Sequence, residues 1–427
     1  MNISKENRLL LYCVQARISE DTLNKVKNLI KHPLNWEKVL ESALWHGIGP
    51  LLYNNLKGIQ EIQFISHGVM DKLRTPCHRN LARNMYLYTE LKRILEAFHE
   101  KRIEVIALKG VILAKIVYGD IGLRSMNDID LLVKKEDLPY AEKIISELGY
   151  LFKGNKSPEW YRTNHQEIRY IHPKKNIPVD IHWHITNKSH PFRIRNFDSG
   201  IIERWWEGAT TVDFSGSKTL TLCPEDLISH LCLHFLKHRF LNQNGTFSEG
   251  FSSRGALIQL CDIFQTLKHY GDEINWESLK CKAEKYGIHS HIYITLSIVK
   301  EFIGKHDDTF HNALSGFASG SLDKEIIRLI NKRILIKEDD LTVIPAPLIR
   351  SLVANTFREK LKTLLREIFP DPEVVSKTYS VPLSSKRLYL YYLNRPLSML
   401  LKYGKIALEV PRIKEDVILK KWISSKD

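Results

Sequence analysis

The chain has 427 residues, 43% of them hydrophobic, and 63 Lys and Arg against 49 Asp and Glu, for a net charge of +14. That length allows two or three domains, or one large domain with helical additions, around a sizeable core. No window approaches the eighteen or so uncharged apolar residues of a membrane-spanning helix, and cysteines at 13, 77, 223, 232, 261 and 281 form no C-x-x-C pair, so neither a zinc ribbon nor a disulfide framework is expected.

The basic excess favours polyanionic partners such as nucleotides, nucleic acid, a phosphorylated acceptor or an anionic membrane; a solvated lysine-rich surface gives the same sum. The first residues are polar, and the short apolar run after them is broken by Gln15 and Arg17, so no secretory signal is expected. The expectation is a cytoplasmic protein with reduced thiols.

Residues 1–100 read as a helical N-terminal segment. Trp36, Val39, Leu40, Ala43 and Leu44 recur at helical spacing, as do Leu87, Leu91, Ile94, Leu95 and Phe98. Gly47-Ile48-Gly49-Pro50 reads as the turn between two helices. The pattern changes after residue 100. Ile103 to Leu108 is a strand candidate with Lys109-Gly110 as its turn, Val111 to Tyr118 a short helix, and Gly119 to Asn127 a polar loop. Asp128 to Val133 is a second strand. Glu136 to Leu148 is an amphipathic helix with Gly149 as its C-terminal cap. Glu167 to Ile171 and Val179 to Ile185 are further strands, joined by a hairpin loop from Pro173 to Pro178. From Pro224 the chain reads as helical again, opening on Pro224-Glu225-Asp226, where two acids meet the positive end of the helix dipole. Further helices are expected over 254–269, 276–286, 289–303 and 324–336. The predicted organisation is a helical segment at 1–100, a small mixed-sheet core at 101–220, a helical domain at 221–340 and a basic C-terminal segment at 341–427, an α+β fold.

The chemistry concentrates at Asp128-Ile129-Asp130. On a strand the two carboxylates share one face while Ile129, Leu131 and Val133 share the other. Neighbouring carboxylates repel, and each needs water or a counter-charge; aspartate is also depleted in strands, which weakens the reading of a merely solvated strand start. A divalent cation resolves the cost. A third acid, Asp180, alternates with Val179, Ile181 and Trp183 on a second strand, sharing its face with His182 and His184. Two such strands can build a site for Mg²⁺ or Mn²⁺ and a triphosphate. Lys109 either meets that triphosphate or snorkels at a strand end. Arg124 either contacts a phosphate, fixes the carboxylates, or lies on the surface. His182 orients a carboxylate, touches substrate, or is an ordinary hydrogen-bonded sheet histidine. His230, His234 and His238 stand on one helix face, as a metal ladder, as a phosphate-facing stripe, or as the lining of a cleft edge on a helix packed against the catalytic domain. Arg254 and Asp262, about two turns apart, line the same cleft, form an ordinary ion pair, or face solvent. Residues 386–405 mix Tyr389, Tyr391 and Tyr392 with Lys386, Arg387 and Arg395, as a membrane or nucleic-acid surface or as a packed element with a basic outer face.

A strand, a glycine turn, a helix, an Asp-x-Asp strand and a later lone Asp together resemble the DNA polymerase beta-like nucleotidyltransferase superfamily. More narrowly, Ala107-Leu108-Lys109-Gly110, the run Arg124 to Val133 and Val179-Asp180-Ile181-His182-Trp183 resemble a bacterial family of uncharacterised nucleotidyltransferases. The resemblance implies a metal-dependent transfer of a nucleoside monophosphate from a nucleoside triphosphate to an acceptor hydroxyl. It implies that Asp128, Asp130 and Asp180 hold the metal and carry catalysis, and that Gly110 lets backbone approach the phosphates; Lys109, Arg124 and His182 are candidates beside the nucleotide on the reading of the residues alone. The superfamily usually has Gly-Gly or Gly-Ser in that turn, where this chain has Lys109-Gly110-Val111. The acceptor (a small molecule, a sugar, a lipid-linked intermediate or a protein side chain) does not transfer with the resemblance. Two rivals stand beside it: a non-catalytic module of the same fold that binds a nucleotide or partner, and a basic nucleic-acid-binding protein, for which no recognised motif appears.

Overall fold

The computed structural model describes residues 3–59, 65, 67–154, 156–185, 200–214, 216–239, 254–304, 309–314, 317 and 320–335, with scattered positions from 369 to 422. The chain divides into two compact units. One comprises Met1–Lys237, Ser253–Lys337 and Asp427, and the other His238–Ser252 and Glu338–Lys426. The whole sheet lies in the first unit. Of the basic and aromatic segment 386–405, all but residues 389–392 lies outside the described residues.

Local signals start the N-terminal helices where polar caps stand. The side chains of Ser4, Ser19 and Asn35 accept backbone N–H groups at the heads of α1 (Lys5–Tyr12), α2 (Glu20–Ile30) and α3 (Trp36–Trp45), satisfying donors that a helix leaves open. The expected turn at Gly47 has φ +72° and leads into α4 (Gly49–Leu56), with Pro50 in its first turn. On α3, Val39, Leu40 and Ala43 are buried as their spacing requires, but Leu44 is 57% exposed and does not join that stripe. A 34-residue helix, α5 (His67–Glu100), then runs up to the sheet.

Seven strands follow in the order β3-β4-β5-β2-β1-β7-β6. They are β1 (Ile106–Leu108), β2 (Ile129–Leu132), β3 (Leu151–Phe152), β4 (Glu167–His172), β5 (Ile177–His182), β6 (Thr210–Phe214) and β7 (Ser217–Thr221). The sheet is mixed: β2 runs parallel to β5 and β1 to β7, and the other neighbours are antiparallel. A short helical turn α6 (Gly110–Ile112) passes into a π-helical turn over Leu113–Val117, so the helix expected from Val111 to Tyr118 is irregular. The amphipathic helix after β2 is α7 (Leu138–Glu147), and Gly149 closes it at φ +86°.

One sheet face is the core. Ala107, Ile129, Leu131, Ile168, Tyr170, Val179 and Ile181 pack with Leu87, Leu91, Ile94 and Phe98 of α5 and with Leu138, Ala141 and Ile145 of α7. Each buried Leu, Ile, Val or Phe among them contributes roughly 1.5–3 kcal/mol, so the strand register is fixed by a face that cannot slip toward water. Trp183 belongs to this core, as its alternation implied. The strand predicted over 103–108 shortens to three residues, and the one predicted to Ile185 ends at His182. The hairpin of β6 and β7 was not anticipated, although Thr210, Thr211 and Val212 carry the β-branched signal for it.

The remaining helices are α8 (Pro158–Asn164) and α9 (Gly200–Glu207), which lie between strands, and α10 (Pro224–Arg239), α11 (Ala256–Tyr270), α12 (Trp276–Lys285), α13 (His289–Phe302), α14 (Thr309–Leu314) and α15 (Ser321–Arg333), which follow them. No described helix is long and apolar enough to cross a membrane.

Candidate active site

Sheet register alone brings the acids together. In the parallel pairing of β2 with β5, Asp130 stands opposite Asp180 and Leu132 opposite His182; β4 places Arg169 beside Asp180 and Glu167 beside His182. Directly paired residues share a face, so Asp130, Asp180, His182, Arg169 and Glu167 all lie on the side away from the α5 core. Asp128 follows one pleat earlier, just before β2. Among the described residues, ligand atoms of Asp130, Asp180 and His182 lie within 4.8 Å of one another.

Cations from the chain neutralise the cluster. Oδ1 of Asp130 accepts from Lys109 Nζ at 2.7 Å and faces His182 Nε2 at 2.8 Å. The other imidazole nitrogen of His182, Nδ1, lies 3.2 Å from Glu167 Oε2, and Lys237 Nζ lies 3.9 Å from the same oxygen. Arg169 donates to both oxygens of Asp180, at 2.7 and 2.5 Å, and through Nη2 to Asp128 Oδ2 at 3.2 Å.

The electrostatics follow from burial and these pairs. Burial opposes ionisation of Asp130, yet Lys109 and His182 outweigh it and hold the carboxyl well below its ordinary value. Burial also opposes the charge on Lys109, but Asp130 and Glu167 hold the ammonium above its usual value. Asp128 goes the other way: burial pushes it up, Asp130 and Asp180 repel it further, and it reaches about 6. Asp180 is likewise raised, by burial first, with Arg169 pulling against it and Glu167 and Asp130 adding to the rise. Three crowded carboxylates, two of them raised first of all by burial, form a hard oxygen donor set. That donor chemistry fits a hard divalent cation. The imidazole of His182 is spent on Asp130, so His182 fits as the support of a ligand better than as a ligand.

The turn between β1 and α6 shows why lysine and glycine stand there. Lys109 has φ +50°, a conformation that costs a non-glycine residue about 1–3 kcal/mol, and its ammonium is tied to Asp130. A Cβ on Gly110 would come within 2.6 Å of Arg124 Nη1 and 3.2 Å of Met126 Cγ; only glycine lets the turn lie on that guanidinium. Arg124 is itself mostly buried, and Nε and Nη2 donate to the two oxygens of Asp262 on α11 at 3.1 and 2.8 Å. Tyr118 OH donates to the same carboxylate at 2.9 Å. Arg124 thus lies behind the turn rather than open to the site, and the partner of Asp262 is Arg124.

Sequence reasoning missed Arg169, Glu167 and Lys237. The first two alternate with Ile168 and Tyr170 on a strand whose existence was expected, so the period-two signal for a shared face was present. His230 is buried, packs edge-on against Trp205 with ring centroids 5.5 Å apart, and its Nε2 has no hydrogen-bond partner among the described residues. Burial and the nearby charges of Lys109 and His182 hold its pKa well below the ordinary histidine value. The His230 and His234 rings lie 6.1 Å apart; His238 falls in the second unit, and no described metal-ligand group contains these histidines.

The model of a family described as uncharacterised nucleotidyltransferase matches residues 32–304, more than half of the chain. A crystal structure of an antigenic nucleotidyltransferase-like protein from Paracoccidioides brasiliensis is similar at 14% identity and a TM-score of 0.29, over 53% of this chain and 96% of that one. None of the curated proteins matches. Over residues that include both acidic strands and the glycine turn, the chain belongs to the uncharacterised nucleotidyltransferase family.

Proposed function

We propose that the protein is a metal-dependent nucleotidyltransferase that moves a nucleoside monophosphate from a nucleoside triphosphate to an acceptor hydroxyl. The observation that carries this reading is the register pairing of Asp130 with Asp180 on parallel strands, with Asp128 beside them. Family membership supports the same chemistry. The transfer centre is assigned to residues 101–220, flanked by helical segments at 1–100 and 221–340, in a cytoplasmic protein that meets nucleoside triphosphates there.

Nucleotidyl transfer needs charge neutralisation and in-line alignment more than covalent help. When bound, Mg²⁺ or Mn²⁺ would neutralise the triphosphate and favour attack by the acceptor oxygen. Asp128, Asp130 and Asp180 would hold it through their carboxylate oxygens. His182 fixes the orientation of Asp130 through Nε2, and Lys109 balances the same carboxylate while standing at the mouth of the Gly110 turn. The raised carboxyl of Asp180 suits it to accept the proton of the acceptor hydroxyl. Arg124 acts as a positioning residue that backs the turn.

The test is incubation with α-labelled nucleoside triphosphates, Mg²⁺ or Mn²⁺ and a cell extract, comparing wild type with Asp128→Asn. A labelled product formed only by wild type supports the reading. Nucleotide binding that never yields labelled product or pyrophosphate, whatever acceptor is offered, turns the assignment to a non-catalytic module.

A further inference from the structure

Arg169 is assigned no part in the transfer above, yet it holds two of the carboxylates that the transfer would use. Its guanidinium covers both oxygens of Asp180 and reaches Asp128, so one planar cation bridges the pair from β4. A bidentate guanidinium is the side-chain geometry that best matches a carboxylate. It spans the two acids as a bound metal ion would have to. The two partners differ in their freedom. Asp180 is 5% exposed and fixed in the middle of β5, whereas the Arg169 side chain is 47% exposed. The anion is therefore anchored and the cation has solvent beside it into which to move. Lys109, the other cation of the site, is 14% exposed and enclosed on Asp130.

Two requirements conflict at this point. Without a cation, Asp128 and Asp180 would face each other and Asp130 unneutralised, at a large electrostatic cost. With a divalent ion present, a guanidinium on the same oxygens would be repelled by it at close range. Occupation by one therefore disfavours the other.

We propose that Arg169 is a resident counter-ion at the metal position: it neutralises Asp180 and Asp128 in the metal-free protein and yields them when a divalent cation arrives with a nucleoside triphosphate, whose phosphates then take its guanidinium. The inference rests on the nucleotidyl-transfer reading. Its consequence is that the metal alone binds weakly, because it must displace a bidentate ion pair, and that metal and nucleotide bind cooperatively, because the phosphates accept the displaced cation.

Binding of Mn²⁺ to the full chain, followed by the electron paramagnetic resonance of the free ion and without nucleotide, tests this in wild type, Arg169→Gln, Arg169→Lys and Asp180→Asn. A hydrogen bond to a charged group is worth enough that removing the guanidinium is expected to tighten Mn²⁺ binding by about tenfold or more. Arg169→Lys keeps a positive charge on β4 but loses the two-pronged grip, so it is expected to bind Mn²⁺ more tightly than wild type and less tightly than Arg169→Gln; it also covers the case in which the glutamine variant fails to fold. Asp180→Asn is expected to bind most weakly. Equal affinity in wild type and both Arg169 variants, with loss only in Asp180→Asn, overturns the counter-ion role and leaves the metal site standing. Weaker binding in a folded Arg169 variant also overturns it, since Arg169 would then support the metal. Binding in no protein above the level of Asp180→Asn overturns both this inference and the metal-dependent reading.

Discussion

Asp128 is the residue at which the charge balance of the site shows most clearly. Its carboxyl is raised to about 6 in the fold, whereas an unfolded aspartate titrates near ~3.9. A raised carboxyl pKa means that the folded state prefers the protonated form. Ionised Asp128 therefore costs stability above about pH 6, and the cost fades as pH falls through 6 toward 4. In metal-free protein, Asp128→Asn is expected to raise the melting temperature at pH 7–8 and to lose that advantage by pH 4. The side chain is 34% exposed, so water screens the effect and the gain stays at about 1 kcal/mol or less. Divalent metal with nucleotide reverses the sign: thermal melting with Mg²⁺ and a nucleoside triphosphate at pH 7.5 should show a stabilisation of wild type that Asp128→Asn lacks and that disappears below about pH 6. For turnover, Asp130→Asn and Asp180→Asn are each expected to lower kcat by about 10²–10³ or more, as the loss of one preorganised charge contact does. Steady-state kinetics that leave kcat unchanged in either variant would remove that residue from the chemistry.

The element that fixes the site is the turn from β1 into α6, and it is braced from α11. Asp262 is 2% exposed and takes both the Arg124 guanidinium and the Tyr118 hydroxyl. Removing one partner of a buried pair leaves an uncompensated charge, so Asp262→Ala is expected to cost about 3–5 kcal/mol in urea unfolding. Gly110→Ala pushes a methyl group against the same guanidinium and is expected to cost about 1–3 kcal/mol, with loss of activity as the turn shifts. A Gly110→Ala variant as stable and active as wild type would contradict the need for close approach there. This brace was hard to read in the sequence. Arg124 and Asp262 are 138 residues apart, and no local periodicity links a loop arginine to one polar position on a mostly apolar helix. The acidic strands were legible because alternation is local: Ile129, Leu131, Val179 and Ile181 had to face the core, which left Asp128, Asp130, Asp180 and His182 together on the other face. Arg169 and Glu167 obey the same rule. The hairpin from β4 into β5 was expected; the register that sets Arg169 against Asp180 was not, because register is a property of two strands and not of one.

At the scale of the whole molecule, the mixed sheet explains why residues from distant segments meet. β2 and β5 can lie parallel only because the chain between them crosses through α7 and the antiparallel strands β3 and β4, and that excursion carries Arg169 and Glu167 to the open side of the site. The hairpin of β6 and β7 extends the sheet beyond β1 and was missed because its strands are largely polar, without the apolar alternation that marks the centre. The net charge of +14 fits a triphosphate substrate but is no stronger than a solvated surface gives. The central claim is that Asp128, Asp130 and Asp180 surround a common metal site. Anomalous diffraction from crystals grown with Mn²⁺ and a non-hydrolysable nucleoside triphosphate tests it most directly. The account predicts anomalous density with carboxylate oxygens of all three aspartates at coordination distance, and contact with the triphosphate. Manganese found elsewhere, or touching Asp128 and Asp130 while Asp180 stays paired to Arg169 with nucleotide bound, would contradict it.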